Sequence, residues 1–381
     1  MSAATNGLIA PAAAEIAQRA ERELEALVGV SSPSGDVQGA EAALAICASL
    51  LPDGARVERP PCSTAGSAPD LLARIPGRGR RRIMLLGHVD TVIGHGEHQP
   101  LRREGKRLYG TGTADMKGGD VLALGVARAL AAHPESFAEL AVLMVTDEEW
   151  RTAEFAHASR LSGYDACLCF EAGERTAQGD DALVVRRKAA GTLRVTAAGR
   201  ASHSGSAPDR GRNALLALAQ TAETVAALHD PGGADALSAV PTMMRSGEAF
   251  NIVPASGELI FDLRAVTLEA FAPVLAAVAS EIDGVTLQAR MERHWPGMDT
   301  EQIAAPLLAA ASARLGRALT GVPRGGASDA AHFAATIPLT VDGLGPRGGG
   351  AHTPEEFVLT ESLRSRAEVA LAVALAALAD D

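Results

Sequence analysis

Two short stretches decide how this sequence folds: Leu85-Leu86-Gly87-His88-Val89-Asp90 and Met144-Val145-Thr146-Asp147-Glu148-Glu149. Each is an apolar run, typical of a buried strand, that ends abruptly in acidic residues or a histidine. A buried strand has no physical reason to end in this way, whereas an active site at the carboxyl edge of a parallel sheet does. Histidine, aspartate and glutamate are also the side chains that bind hard or borderline divalent metal ions. The two stretches therefore predict a metal-dependent hydrolase on an α/β sheet.

The pattern around these stretches agrees with an α/β domain. Helical spacing predicts helices at residues 11–27, 37–51 and 118–133, and apolar runs predict strands at 71–75, 83–86, 140–146 and 166–170, with a helix between the last two. A basic turn at residues 78–82 separates the first two strands and is predicted to be a solvated hairpin tip. Such alternation is typical of a sheet with helices on both faces, and we expect this sheet to be mixed.

The pattern changes near Lys188. The elements predicted after it are, in order, a strand, a helix, two strands, a helix and a strand, at residues 191–199, 211–228, 242–245, 257–265, 267–282 and 284–291. This order is typical of a small ferredoxin-like α+β domain with a four-stranded sheet and two helices. Helices and strands alternate again after Pro296. We therefore predict one domain from residues 1–188 and 297–381, interrupted by a smaller domain at residues 189–296.

The composition is that of a soluble enzyme with a sizeable core. The 381 residues are 47% hydrophobic and 21% charged, which excludes a disordered chain. The net charge of −11 argues against nucleic acid or an anionic membrane as the main partner. Four cysteines lack zinc-site spacing and are predicted to be reduced core thiols. The sequence shows neither a signal-peptide pattern nor an 18-residue uncharged run, so we expect a cytoplasmic protein.

Several metal-ligating residues fall at predicted strand ends or on glycine-rich loops: His88, Asp90, Asp115, Glu148, Glu149, Glu171 and His352. His88 and Asp90 are two apart, so on a strand they face the same side, and one can bind a metal while the other orients the imidazole. Glu148 and Glu149 are adjacent and diverge, which favours different roles for them. Taken singly, each residue also fits a structural role, such as a helix cap or a strand end. Together they predict a metal site.

At these residues the chain resembles the co-catalytic di-zinc exopeptidases, a family that includes glutamate carboxypeptidase, acetylornithine deacetylase, succinyl-diaminopimelate desuccinylase and aminoacylase. The resemblance is carried by residues 87–90, 112–119, 147–149 and by Ala201-Ser202-His203-Ser204-Gly205. Phe170-Glu171, residues 325–330 and residues 350–353 make it most similar to the glutamate carboxypeptidase branch. The resemblance covers nearly the whole chain and implies a homodimer formed through the inserted domain, which would serve as a dimerisation or lid domain.

The resemblance also implies a role for each residue of the set. Two Zn²⁺ ions per chain, with Co²⁺ or Mn²⁺ as substitutes, would be bridged by Asp115. One ion would take His88 and Glu171, and the other Glu149 and His352. Asp90 would orient His88, and Glu148 would be the general base on a metal-bridging water. A cis peptide bond is expected between Asp115 and Met116.

The inserted domain would supply further site residues. The resemblance makes His203 an oxyanion donor that reaches into the partner subunit's site. Arg264 would clamp a substrate carboxylate, because a guanidinium fork matches it. Asn251 and Ser328 would also contact substrate. On the residues alone, a surface histidine, a strand-end arginine and a turn asparagine remain open alternatives.

The hypothesis is a zinc-dependent hydrolase that cleaves a peptide or N-acyl amide bond in a small substrate with a free carboxylate, as glutamate carboxypeptidase does. The alternatives are a deacylase of the acetylornithine or succinyl-diaminopimelate type and, from another class, a metal-holding binding protein without turnover.

Two positions depart from the sequence pattern of the family that the chain resembles. Trp150-Arg151 replaces a small residue pair, so it either reshapes acyl specificity or packs outward. Trp295 replaces an arginine, which weighs against glutamate specificity more than against hydrolysis.

Overall fold

A computed structural model describes residues 7–379. Its α-helices are α1 (Ile9–Val28), α2 (Val37–Ser49), α3 (Gly118–Ala131), α4 (Ala214–Ala226), α5 (Ala272–Ala276), α6 (Glu301–Leu315), α7 (Ala330–Ala334) and α8 (Thr360–Ala377). Its strands are β1 (Arg56–Glu58), β2 (Leu71–Pro76), β3 (Arg82–His88), β4 (Arg102–Glu104), β5 (Arg107–Tyr109), β6 (Glu139–Val145), β7 (Ala166–Cys169), β8 (Glu174–Arg175), β9 (Asp181–Arg187), β10 (Ala189–Ala198), β11 (Ser202–His203), β12 (Ser238–Ser246), β13 (Ile252–Val253), β14 (Ser256–Ala265), β15 (Glu281–Ile282), β16 (Val285–Trp295), β17 (Met298–Asp299), β18 (Leu319–Arg324), β19 (Thr340–Val341), β20 (Gly348–Gly349) and β21 (Phe357–Leu359).

The chain divides into two compact units. The first runs to Arg186 and resumes over Asp299–Pro323 and from Ser328 onward, and the second holds Arg187–Met298 and Arg324–Ala327. The assignment of residues 1–188 and 297–381 to a catalytic domain and of 189–296 to a dimerisation domain stays a prediction. Residues 1–6 and 380–381 of that predicted first domain lie outside the described residues.

The first unit is built on a six-stranded sheet in the order β1-β2-β6-β3-β7-β19. Strand β3 pairs in parallel with β6 and β7, whereas β2 pairs with β6 in the antiparallel sense. The sheet is therefore mixed, and the predicted α/β class is confirmed. Helix α3 packs on β3 and β6, and α1, α6 and α8 complete the main apolar core. Because β3, β6 and β7 run in parallel, their carboxyl ends meet at one edge of the sheet.

Two local predictions in the first unit are wrong. Strands β2 and β3 do not form a hairpin, because β6 lies between them; the basic turn is bonded instead to the segment before β6, with the Arg78 N–H donating to the Pro134 carbonyl at 2.6 Å. Among the described residues, no helix lies between β6 and β7. That segment is held by long-range contacts instead, including stacking of Phe155 on His332 at a centroid distance of 4.9 Å.

The second unit has a five-stranded antiparallel sheet in the order β12-β14-β10-β16-β15, of which β15 is only two residues long. Four long strands and two helices follow one another in the predicted ferredoxin-like order. Helix α5 is shorter than predicted, and strand β12 is longer. The strand predicted to be exposed, residues 191–199, lies instead at the centre of the sheet as β10, with β14 and β16 on either side. The long edge strand is β12.

No helix within residues 7–379 is long and apolar enough to cross a membrane. All four cysteines are free thiols. Cys47, Cys167 and Cys169 are buried as predicted, whereas Cys62 is half-buried and donates its S–H to the Thr64 carbonyl.

Candidate metal centre

Asp90 links the end of β3 to the segment after β6, at the edge of the sheet where the parallel strands end. Its buried carboxylate accepts the backbone N–H groups of Glu148 and Glu149, each at 3.1 Å, and the hydroxyl of Ser34. The Nδ1 atom of His88 lies 3.1 Å from the Asp90 carbonyl and 3.4 Å from its Oδ1. These contacts hold the His88 ring and bring the segment after β6 against the end of β3.

Asp115 lies between two histidine–carboxylate pairs. Its Oδ1 is 3.2 Å from His88 Nε2, which is itself 3.7 Å from Glu171 Oε1. Its Oδ2 is 3.2 Å from His352 Nε2, which is 3.3 Å from Glu149 Oε2. The peptide bond that follows Asp115 is cis, as expected. All five side chains named as metal ligands from the sequence therefore meet within the first unit, with one pair on each oxygen of Asp115.

The electrostatics of this cluster favour positive charge. Hydrogen bonds to Asp115 and Glu149 raise the pKa of His352 to about 10. Burial lowers the pKa of His88, but its bonds to Asp115 and Asp90 outweigh burial and hold that pKa well above its usual value. Conversely, the two histidines hold the pKa of Asp115 below its usual range despite its burial. The field that charges the imidazoles would equally stabilise a bound cation.

The donor set fits a divalent metal ion. Ligand atoms of His88, Asp115 and Glu149 all lie within 4.8 Å of one another. The Glu149 Oε1 atom is buried without a hydrogen-bond partner among the described residues, as expected of a carboxylate oxygen that a metal would satisfy. Mixed imidazole and carboxylate ligands suit zinc, and also cobalt and manganese.

Glu148 lies beside the cluster without joining either histidine–carboxylate pair. Its side chain is buried, and burial raises its pKa well above the usual value, with Asp329 and Glu149 adding to the shift. His88 opposes the shift. The Glu148 N–H donates to Asp90, and this bond holds the Glu148 backbone next to the cluster.

Glu356 is a site residue that the sequence analysis missed. Its buried carboxylate accepts the backbone N–H groups of Gly112 and Ala114 at 2.7 Å and of Asp115 at 2.9 Å. In the sequence it is adjacent to the exposed Glu355, and no local pattern distinguishes the two acids.

Arg151 also has a role that the sequence did not reveal. Trp150 is 61% exposed, whereas Arg151 is fully buried and does not pack outward. Its guanidinium donates to Asp147 at 3.2 Å and to Asp329, and it covers the Phe155 ring at 4.6 Å. Burial lowers the Arg151 pKa, but Asp329 and Asp147 raise it above its usual value, so the group stays charged. Arg151 thus anchors the segment that carries the Glu148–Glu149 pair.

The remaining predicted residues are described by their own contacts. In the second unit, exposed His203 has an Nδ1 atom that accepts the N–H groups of Gly205 and Ser206, both at 3.1 Å. Arg264, on β14, donates Nε and Nη2 to the two carboxylate oxygens of Asp262, each at 3.0 Å. Asn251 is exposed, and its backbone carbonyl accepts the Ser204 N–H at 3.0 Å. Ser328 is buried in the first unit, and its hydroxyl donates to the Asp342 carboxylate at 2.6 Å. Contact of Asn251 and Ser328 with substrate stays a prediction.

The sequence matches one family profile and several curated relatives over most of its length. The sequence profile described as peptidase family M20/M25/M40 matches residues 84–376. Carboxypeptidase G2 of Pseudomonas sp. strain RS-16 is 28% identical over 355 residues, which cover 88% of this chain and 84% of the relative. Succinyl-diaminopimelate desuccinylase of Stenotrophomonas maltophilia is 30% identical over 316 residues, or 76% of this chain and 82% of the relative.

Solved structures show the same fold. A tripeptidase from Staphylococcus aureus superimposes with a TM-score of 0.77 at 19% identity, covering 94% of this chain and 98% of that chain. At this identity the match shows the fold alone.

Removing the buried charge of Arg151 should destabilise the protein strongly. We expect Arg151→Met to lower the free energy of unfolding by about 3–5 kcal/mol, because Asp147 and Asp329 would be left buried without their partner. The matched control is Arg103→Met, which removes an exposed ion pair with Glu21 and should cost under about 1 kcal/mol. Urea denaturation followed by circular dichroism measures both, and equal losses would contradict the anchoring role.

Proposed function

The chain belongs to the peptidase family M20/M25/M40, and on this premise we propose that it is a di-zinc enzyme that cleaves a peptide or N-acyl amide bond in a small substrate with a free carboxylate. That it is a hydrolase acting on amide bonds follows from the family and its relatives. One observation carries the finer proposal: the two oxygens of Asp115 each face a separate histidine–carboxylate pair. A single ion would need only one of these pairs.

Five residues would hold the two ions. Asp115 would bridge them, with His88 and Glu171 at one ion and Glu149 and His352 at the other. Bound divalent ions supply Lewis acidity, which polarises a carbonyl and lowers the pKa of a water.

Glu148 would carry the proton in this reaction. It would take a proton from the attacking water as the water oxygen bonds to the amide carbon, and then give that proton to the nitrogen as the C–N bond breaks. The backbone bond from Glu148 to Asp90 supports this role, because it holds the base at a fixed position beside the ligands.

His203 would stabilise the oxyanion of the tetrahedral intermediate. Since its Nδ1 accepts two backbone N–H groups, the proton of the neutral ring resides on Nε2, which makes that atom a donor. A preoriented donor of this kind is what an oxyanion requires.

We further propose that the second unit forms a homodimer through the face of α4 and edge strand β12. Exposed apolar side chains lie on both elements: Leu215 and Leu216 on α4, and Val240 and Met244 on β12. An unpaired edge strand with such neighbours is suited to pairing with a second copy. In such a dimer His203 would act in the partner's site.

Arg264 would bind the substrate carboxylate. Its bidentate bond to Asp262 supports this role, because it preorients the guanidinium while leaving Nη1 free of that pair.

The second candidate function is that of a deacylase of the succinyl-diaminopimelate type. It is favoured by the relative of that name and by Trp295, which is buried where an arginine was expected. A binding protein without turnover is disfavoured, because Glu148 and the full ligand set are present.

Replacing each of the two adjacent glutamates by glutamine, one at a time, should separate catalysis from metal binding. Glu148→Gln should retain two ions per chain but lose roughly 10³-fold or more in kcat, because the proton carrier is gone. Glu149→Gln should instead lower the metal content. Metal analysis after dialysis and steady-state kinetics measure both, with the exposed Glu154→Gln as control. Near-normal turnover by Glu148→Gln would overturn its assignment.

Mixing two inactive variants tests whether His203 acts across a dimer. If it does, a mixed dimer of Glu148→Gln and His203→Ala has one site with both defects and one intact site. Equal mixing should then restore about a quarter of wild-type activity, since about half the dimers are mixed. No recovery after verified subunit exchange, or a monomeric protein on light scattering, would rule out the proposed arrangement.

Arg264→Ala should lower kcat/KM for free-acid substrates by roughly two to three orders of magnitude, from the loss of a charge-assisted pair worth ~3–4 kcal/mol. The matching amide substrates should lose much less, because they lack the carboxylate. Arg264→Lys should recover little, since lysine lacks the bidentate fork. The exposed Arg290→Ala is the control. Equal losses on acid and amide would make Arg264 structural and favour the deacylase.

A further inference from the structure

We propose that Glu356 is the positioning residue of the metal centre: its buried carboxylate fixes the main chain of the bridging ligand Asp115 and joins it to the loop of His352. The inference rests on the proposed metal site and adds a residue that binds neither metal nor substrate.

The Glu356 side chain accepts hydrogen bonds from three backbone N–H groups of residues 110–115, here called the Asp115 loop. The carboxylate, in a residue that is 2% exposed, accepts the N–H of Gly112 on Oε2 and those of Ala114 and Asp115 on Oε1. The carbonyl of Glu356 also accepts the Gly110 N–H at 3.0 Å. Four N–H groups within six residues therefore end on a single residue from the far end of the chain.

This loop needs such a partner. Gly112 has a φ of +78°, a left-handed conformation that interrupts any regular ladder ahead of α3. The N–H groups of Thr111 and Thr113 still reach the backbone carbonyls of Gln99 and Gly110, whereas those of Gly112, Ala114 and Asp115 donate to the Glu356 side chain. Without that side chain these three N–H groups would lose their acceptor, and a buried donor without an acceptor is costly. A carboxylate is the strongest acceptor that the protein has for several N–H groups at once.

The bonds leave the Asp115 side chain free for metal. Glu356 holds the Asp115 N–H, while the two carboxylate oxygens of Asp115 point to His88 and His352. Fixing the Asp115 backbone thus restricts the positions that both oxygens can reach. If the loop shifted, both proposed ions would lose the shared ligand together.

Glu356 also closes the loop of His352. The strands β20 and β21 pair through Gly349 and Phe357, and the Glu356 N–H donates to the Thr353 carbonyl at 3.2 Å. His352 itself has a φ of +66°, unusual for a residue other than glycine, so the loop must be held by its surroundings. Glu356 lies where this loop meets the Asp115 loop.

Zinc affinity tests the proposal without any substrate. Metal-free protein, prepared with a chelator, is titrated with Zn²⁺ against a chromophoric competitor. Glu356→Gln replaces one oxygen by an NH₂ group that cannot accept the backbone donors, and we expect affinity at both sites to fall by about 10- to 100-fold. The control is Glu355→Gln, whose side chain is exposed and should leave the affinity unchanged.

Three outcomes separate this inference from the proposed function. If wild-type protein binds two ions and Glu356→Gln binds them as tightly, Glu356 is merely structural and the inference is wrong. If wild-type protein does not bind two ions, the proposed function itself fails. If Glu356→Gln does not fold, Glu356→Asp is titrated instead, with the absorption spectrum of bound Co²⁺ as second readout. A folded Glu356→Asp with unaltered affinity and spectrum would also overturn the inference.

Discussion

The carboxylate of Asp90 is the contact on which the rest of the site depends. Parallel pairing brings the ends of β3 and β6 to one edge, and it continues until the Val89 N–H donates to the Val145 carbonyl. Beyond that point the Asp90 carboxylate accepts two N–H groups from the segment after β6, and its Oδ1 lies 3.4 Å from His88 Nδ1. The proposed general base and two of the proposed metal ligands are thereby held near one another by one buried side chain, which itself needs no metal.

The sequence was sufficient for features that local residues specify. The motifs at residues 87–90 and 147–149 mark strand ends, so the α/β fold could be predicted from them, whereas the grouping of ligands around Asp115 was implied by the family resemblance. The order of the strands in the sheets could not be predicted, because it depends on pairing between segments that are distant in the sequence. Local spacing gave no sign that β6 would insert between β2 and β3, or that β10, with its alternating polarity, would lie at the centre of a sheet.

The residues that were missed share one property: their partners are far away in sequence. Glu356 bonds to a loop more than 240 residues earlier, and Arg151 pairs with Asp329, 178 residues later. A buried acid or arginine looks like a surface residue until its partner is known.

The order of the ligands along the chain has a consequence for biosynthesis. His88, Asp115, Glu149 and Glu171 all precede the second unit, whereas His352 and Glu356 follow it. A nascent chain therefore carries four of the five proposed ligands while the second unit is still being translated. The fifth proposed ligand and the residue that would fix the bridging loop leave the ribosome together, after the whole second unit. A chain that stopped within the second unit would lack a complete proposed metal centre, so the discontinuous first unit would defer activity until the second unit has been translated.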